Sequence, residues 1–217
     1  MNFSEKRVEM VKLIREQYKF GDEKVLQMMS MVPRHKFAPR KYQEISYDDA
    51  PVNIGFGQTM SQPFTVARMT NLLIAKSEKL KAKSVLEIGT GSGYQAAILS
   101  YFFGEVYTIE IVPELSLTAG SRLARLGYKN VFVKAGSGEH GWIEHAPYDA
   151  ILITAGVKEV PMDLFDQLKV GGVLVAPVGE GAETVMTRFR RGFSGQARYK
   201  KETFGTFYFV PFVGEGK

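Results

Sequence analysis

The sequence predicts an α/β fold: a mostly parallel twisted sheet with helices on both faces, plus a small N-terminal helical extension. From Ser84 onward, short apolar runs alternate with helix-periodic segments, the pattern of strand–helix units that assemble a parallel sheet. The first such run leads directly into a turn with glycines at 89, 91 and 93. Ahead of it, residues 4–20 carry Val8, Val11, Ile14 and Tyr18 at helical spacing, with no strand alternation.

The elements follow in order. Gly21 closes the first helix, and Asp22 is placed to cap a second that runs to Met29 and is stopped by Pro33. Val32 to Pro63 is rich in Pro, Gly and Tyr with weak periodicity, and reads as a long ordered loop, a kind that tends to carry function. A helix is expected over Pro63–Lys76, with Pro63 near its first position. Then come a strand at Ser84–Ile88, a helix from Gly93 to Phe103, a strand at Val106–Ile109 and a helix over Pro113–Leu126 ended by Gly127. Strands at Val131–Lys134 and Ala150–Thr154, a short helix over Pro161–Leu168 and a strand at Val173–Pro177 complete the parallel part. Thr184–Arg190 and Lys200–Phe209 alternate like antiparallel strands.

At 217 residues the chain fits one substantial domain, expected to divide into residues 1–62 and 63–217 within one compact unit. Its 45% hydrophobic and 24% charged residues are those of an ordinary globular protein. No run approaches the roughly 20 apolar residues of a spanning helix, and Met1–Arg15 is charged and helix-periodic, unlike a signal peptide. With no cysteine, thiolate chemistry and disulfides are excluded and the cytoplasm is the expected compartment. The net charge of +5 is scattered, with groups at Lys76–Lys83 and Arg188–Lys201 but no basic run interleaved with aromatics. These read as solvated faces, so no nucleic-acid or membrane partner is expected. His35, His140 and His145 lack ligand spacing, and no metal site is expected. Trp142 reads as a packing anchor.

The most informative stretch is Val85-Leu86-Glu87-Ile88-Gly89-Thr90-Gly91-Ser92-Gly93-Tyr94. An apolar strand ends in an acid, passes through alternating glycines and enters a helix, the place where open parallel sheets bind ligands. A dinucleotide fingerprint wants its third glycine where Tyr94 stands. Glu87 would repel a pyrophosphate but can accept from an amino group, and Glu110 ends the next strand where ribose hydroxyls would lie. S-adenosylmethionine has the amino group and no phosphate, so these residues point to a methyltransferase rather than a dehydrogenase. The expected cofactor contacts are Glu87, Ile88, Gly89, Thr90, Gly91, Gly93 and Glu110. Glu110 as a plain solvent-facing strand end remains the competing reading, and Tyr94 with Ala96–Leu99 reads as helix packing. Gly136-Ser137-Gly138 is equally a plain turn or an adenine contact.

Several blocks together resemble the protein-L-isoaspartate O-methyltransferases. They are Val32-Pro33-Arg34-His35-Lys36-Phe37, Tyr47–Pro51, Ile54 through Pro63, Tyr148-Asp149-Ala150-Ile151, Gln167 through Gly172, Pro177-Val178-Gly179 and Phe209-Val210-Pro211. The Gly57–Pro63 loop is the specific part. The resemblance implies a Rossmann-like class I methyltransferase core at 63–217 and a covering N-terminal segment at 1–62. It implies methyl transfer from S-adenosyl-L-methionine, yielding S-adenosyl-L-homocysteine, to the free carboxylate of L-isoaspartyl residues in damaged proteins and peptides. The ester then closes to a succinimide, which hydrolyses partly to normal aspartate. Ser61 is the implied active-site residue, with Gln58, Thr59 and Met60 forming the adjoining wall and Gly136 and Ser137 near the adenine. On residues alone, Ser61 also reads as an N-cap for the Pro63 helix. A monomer is expected, and a class I methyltransferase acting on a small molecule or RNA is the alternative. The family pattern is broken at Phe64, where many relatives carry His, and at Ser137, where the usual residue is Asp. A neutral serine accepts a weaker hydrogen bond than a carboxylate, so weaker cofactor binding is expected.

Overall fold

The computed structural model describes residues 2–74, 83–192 and 198–214. Helix α1, Phe3–Gln17, begins with a capping box: Asn2 accepts from the N–H groups of Ser4 and Glu5, and the Glu5 carboxylate accepts the Asn2 N–H at 2.9 Å. It buries Met10, Val11 and Ile14. Val8, expected on that apolar face, is 58% exposed. The helix also stops short of residue 20, since Lys19 takes a left-handed φ of 49°. Helix α2, Glu23–Met31, is capped by Asp22 as expected, through the Val25 N–H at 3.2 Å. The other Asp22 oxygen accepts from Asn71 at 2.8 Å, which ties α2 to helix α3, Pro63–Ile74. The expected end of that helix at Lys76 lies outside the described residues.

The stretch expected to be a long loop is more structured. It holds 3-10 turns at Arg34–Phe37 and Arg40–Tyr42, then an antiparallel hairpin of β1, Val52–Gly55, and β2, Gln58–Met60. The physical cause was visible as Gly-Phe-Gly: Gly55, Phe56 and Gly57 take φ of 94°, 54° and 70°, a left-handed turn that glycine tolerates at least cost. Val52 pairs with Met60, and both side chains are buried in the core.

The main sheet contains β3 (Ser84–Ile88), β4 (Glu105–Glu110), β5 (Val131–Ala135), β6 (Tyr148–Ile153), β7 (Leu168–Val178), β8 (Glu183–Arg191) and β9 (Tyr199–Tyr208), in spatial order β5-β4-β3-β6-β7-β8-β9. Strands β3 to β7 are parallel; β8 and β9 add on antiparallel, as the alternation predicted. Helices α4 (Tyr94–Leu99), α5 (Pro113–Arg125) and α6 (Met162–Asp166) lie between them. The helix expected to reach Leu168 ends at Asp166, and β7 starts at Leu168 rather than Val173. Leu168 is fully buried and pairs with Tyr148, so sheet pairing overrides the local helical pattern.

Alternation along the strands divides the core. Val85, Val106, Leu152 and Val175 face the side covered by α3, α4 and the N-terminal helices. Leu86, Ile88, Ile109, Ile151 and Leu174 face the side with Leu164 and Phe165 of α6. Each fully buried aliphatic side chain contributes about 1.5–3 kcal/mol. The chain leaves β3 toward β4 on one side and returns to β6 on the other. That reversal opens a crevice beyond the carboxyl ends of β3, β4 and β6.

Candidate active site

The glycine turn after β3 is held from both sides. Gly89 and Thr90 donate to the Ile109 carbonyl at 2.8 and 3.2 Å, while Thr154, just past β6, donates its N–H to the Ile88 carbonyl at 2.9 Å. The Thr154 hydroxyl also donates to the Gly89 carbonyl at 2.7 Å. Gly89 has φ of 99°, and a Cβ there would lie 2.3 Å from the Thr154 hydroxyl oxygen, so no other residue fits without moving Thr154. Glu110 fastens the next part of the turn: one carboxylate oxygen accepts the Gly91 N–H at 2.7 Å and the other the Val112 N–H at 3.1 Å.

In front of this turn lies a cavity of about 560 Å³, its open mouth included. Gln58, Thr59, Ile88, Gly89, Gly91 and Glu110 line it, as do Ile109, Ile111, Gly138, Thr154 and Ala155. The chain after β9 completes the wall with Val210–Val213. That segment is stitched to Gly156, which donates to the Val210 carbonyl and accepts from the Phe212 N–H, both at 2.8 Å. Among the described residues the lining contains one acid, Glu110, and no Lys, Arg or His. A phosphate-bearing ligand would find no cation among them; a ligand with hydroxyls and an apolar ring would find an acid beside isoleucines.

Glu87 sits deeper than its spacing suggests. It is wholly buried and off the cavity wall, directly opposite Thr108 in the β3–β4 register. The Thr108 hydroxyl lies 2.5 Å from one Glu87 oxygen and 2.7 Å from the Thr90 hydroxyl, while the other Glu87 oxygen has no hydrogen-bond partner among the described residues. Burial pushes the Glu87 carboxyl up to about 8, opposed by the Thr108 bond and assisted by the nearby Glu110 charge.

Ser61 lies in a second cleft with Tyr18, Gln62, Phe64 and Phe207. Thr59, Thr154 and Val210 line both this cleft and the glycine-turn cavity, so the two adjoin across a shared wall. The N-cap expected of Ser61 is supplied from elsewhere: Asp49 accepts the Phe64 N–H at 2.9 Å. Ser61 is held instead by its backbone. Arg34, fully buried, donates to the carbonyls of Ser46 and Ser61, each at 2.6 Å, with its guanidinium 4.7 Å from the Tyr94 ring centroid. No hydrogen bond to the Ser61 hydroxyl occurs among the described residues.

The sequence-predicted residues therefore fall into groups. Gln58, Thr59, Ile88, Gly89, Gly91 and Glu110 converge on the cavity, and Ser61 with Thr59 on the cleft. Met60, Glu87 and Thr90 are buried behind the wall. Gly93 starts α4, with Leu123 3.1 Å from where its Cβ would be. Gly136 donates to the Glu110 carbonyl at 2.9 Å, and the Ser137 hydroxyl accepts the Glu139 N–H at 3.3 Å; of that trio, Gly138 is the one on the wall. A Cβ on Gly138 would fall 2.2 Å from Ile88, which gives that glycine its reason. Sequence reasoning missed Thr154 and Val210–Val213 as walls. Only the positions just after a parallel strand and beyond the last strand signalled them.

Comparison with known proteins agrees with this architecture. The family model for protein-L-isoaspartate(D-aspartate) O-methyltransferase matches residues 5–217. A protein-L-isoaspartate O-methyltransferase 2 from Syntrophobacter fumaroxidans is 52% identical over 158 residues, 73% of this chain and 62% of that protein. A protein-L-isoaspartate O-methyltransferase from Pelotomaculum thermopropionicum is 46% identical over 194 residues, 89% of this chain and 82% of that one. Among solved structures, a protein-L-isoaspartate O-methyltransferase superposes with a TM-score of 0.82 at 27% identity, over 96% of this chain and 66% of that chain. A Plasmodium falciparum structure in complex with S-adenosyl-L-homocysteine shares the fold with a TM-score of 0.80 at 22% identity. The core is thus of the class I methyltransferase type, and the chain belongs to the protein-L-isoaspartate(D-aspartate) O-methyltransferase family.

Proposed function

We propose that this chain transfers a methyl group from S-adenosyl-L-methionine to the free α-carboxylate of L-isoaspartyl residues in damaged proteins and peptides, the first step of repair through a succinimide. The observation that carries this reading is the shared wall of Thr59, Thr154 and Val210 between the glycine-turn cavity and the Ser61 cleft. The cavity suits a phosphate-free adenosyl ligand, with Glu110 for ribose hydroxyls, Ile109, Ile111 and Phe212 around an apolar ring, and no cation among the described lining residues. When bound, S-adenosyl-L-methionine supplies a methyl group already activated on a sulfonium.

The chain's own task is then alignment. An isoaspartyl carboxylate is ionised at neutral pH and needs no general base. The Ser61 hydroxyl orients that carboxylate, and the Gly89 turn, locked by Thr154 and Glu110, fixes the opposite partner. Positioning of this kind is worth ~7–11 kcal/mol. Residues 1–62 act as the cover and 63–217 as the catalytic core. The expected setting is a cytoplasmic monomer whose partners are damaged polypeptides rather than nucleic acid or membrane. No helix among the described residues is long and apolar enough to cross a membrane.

The test is incubation with methyl-labelled S-adenosyl-L-methionine and an isoaspartyl peptide beside its normal aspartyl twin. Label is expected as a base-labile ester on the isoaspartyl peptide alone; label on both or neither overturns the reading. Ser61→Ala is expected to lower kcat by about tenfold, the worth of one oriented hydrogen bond in the transition state, with cofactor affinity retained. Full turnover would remove Ser61 from the reaction.

A further inference from the structure

One wall of the Ser61 cleft, given no task in the proposed methyl transfer, is a ladder of three aromatic rings. Tyr18 and Phe64 stack face to face, their centroids 3.7 Å apart and planes within 6°, and Phe207 continues the row 6.2 Å from Phe64. All three line the cleft, and Tyr208, 75% exposed, stands at its edge.

A single carboxylate ties down two of its members. The Tyr18 hydroxyl donates to Asp49 at 2.6 Å, Gln62 donates to the same oxygen at 2.8 Å, and the other Asp49 oxygen accepts the Phe64 N–H at 2.9 Å. Burial and that bond push the Tyr18 hydroxyl up to about 12, the Asp49 hydrogen bond being the largest cause, so it stays a donor across the working range. The Tyr18 ring and the Phe64 backbone are therefore held before any ligand arrives, and little ordering entropy is lost there when something packs on them. No described residue lining the cleft is charged. An acidic or basic side chain entering it would shed its hydration with no opposite charge to replace it, whereas an apolar or aromatic one meets ring faces and edges.

We propose that the Tyr18–Phe64–Phe207 ladder seats an apolar or aromatic side chain of the residue flanking the acceptor, so that the enzyme selects damaged sites by their neighbour. This rests on the isoaspartyl reading of the Ser61 cleft. Ser61 and Phe64 are three residues apart and line the same cleft, so an acceptor at Ser61 brings its chain neighbour to the rings.

The experiment uses the full chain and isoaspartyl peptides identical except for Phe, Ser or Glu at the residue before, or in a second set after, the isoaspartate. On one of the two sides, kcat/KM is expected to be about tenfold or more higher for Phe than for Ser, in the range hydrophobic pockets deliver, and lowest for Glu. In Phe64→Ser, the Phe-to-Ser ratio is expected to fall toward one. The ratio is taken within each variant, so partial loss of folded protein cancels, and Phe207→Ser provides the same reading if Phe64→Ser does not fold. Methylation without discrimination in the wild type, or an unchanged ratio in both variants, overturns the ladder proposal alone. Failure to methylate any isoaspartyl peptide overturns the underlying reading and the ladder with it.

Discussion

Glu87 and Glu110 both belong to the carboxyl ends of neighbouring strands, yet only Glu110 reaches the cavity. In the register, Glu87 lies opposite Thr108, two residues before Glu110, with Ile88 still to come in its own strand. The sequence marked both as acids at a ligand crevice; depth along the strand depends on how β3 and β4 are staggered, which spacing alone does not carry. Burial has a measurable consequence. A carboxyl that rises from 4.5 to about 8 on folding holds its proton more tightly in the folded chain. Its contribution to stability is fully present below pH 4.5 and is withdrawn as pH climbs through 8. Glu87→Gln keeps the shape and a hydrogen bond to Thr108 but cannot ionise. Thermal unfolding followed against pH should therefore show the wild type losing ground to Glu87→Gln between these two values. Parallel curves would show that Glu87 does not titrate there. Ser61 shows the same limit: its place beside the glycine-turn cavity was legible, but the cap it was expected to provide comes from Asp49, whose bond to the Phe64 N–H spans fifteen residues.

At the scale of elements, the parallel strands, their order along the chain and the antiparallel ending were readable because apolar runs and glycine stops recur at regular spacing. The hairpin of β1 and β2 and the early start of β7 were not, because each is decided by a partner strand rather than by local pattern. Arg34 joins the chain before α3 to α4. It bonds the Ser46 and Ser61 carbonyls and lies over Tyr94 of α4, and its remaining terminal nitrogen has no hydrogen-bond partner among the described residues. Lysine keeps the charge but cannot span two carbonyls or stack as a plane does. Arg34→Lys is expected to cost about 2 kcal/mol in urea unfolding, the penalty for one buried carbonyl left unsatisfied, and to lower kcat by loosening the Ser61 backbone. Unchanged stability and turnover would mean that the loop is held by other contacts.

For the whole molecule, the sheet reversal at β3 creates a crevice, the segment after β9 returns to wall it, and the N-terminal hairpin covers its other side with Gln58 and Thr59. Parts distant in the chain thus meet at one wall, with the methyl donor expected on one side and the carboxylate acceptor on the other. The most direct measurement is a crystal structure grown with S-adenosyl-L-homocysteine. The ribose should lie against Glu110, the ligand should cross the Gly89 turn, and its sulfur should face Thr59 and Thr154 toward Ser61. A ligand bound outside this cavity, or bound there with its sulfur turned away from the Ser61 cleft, would contradict the account.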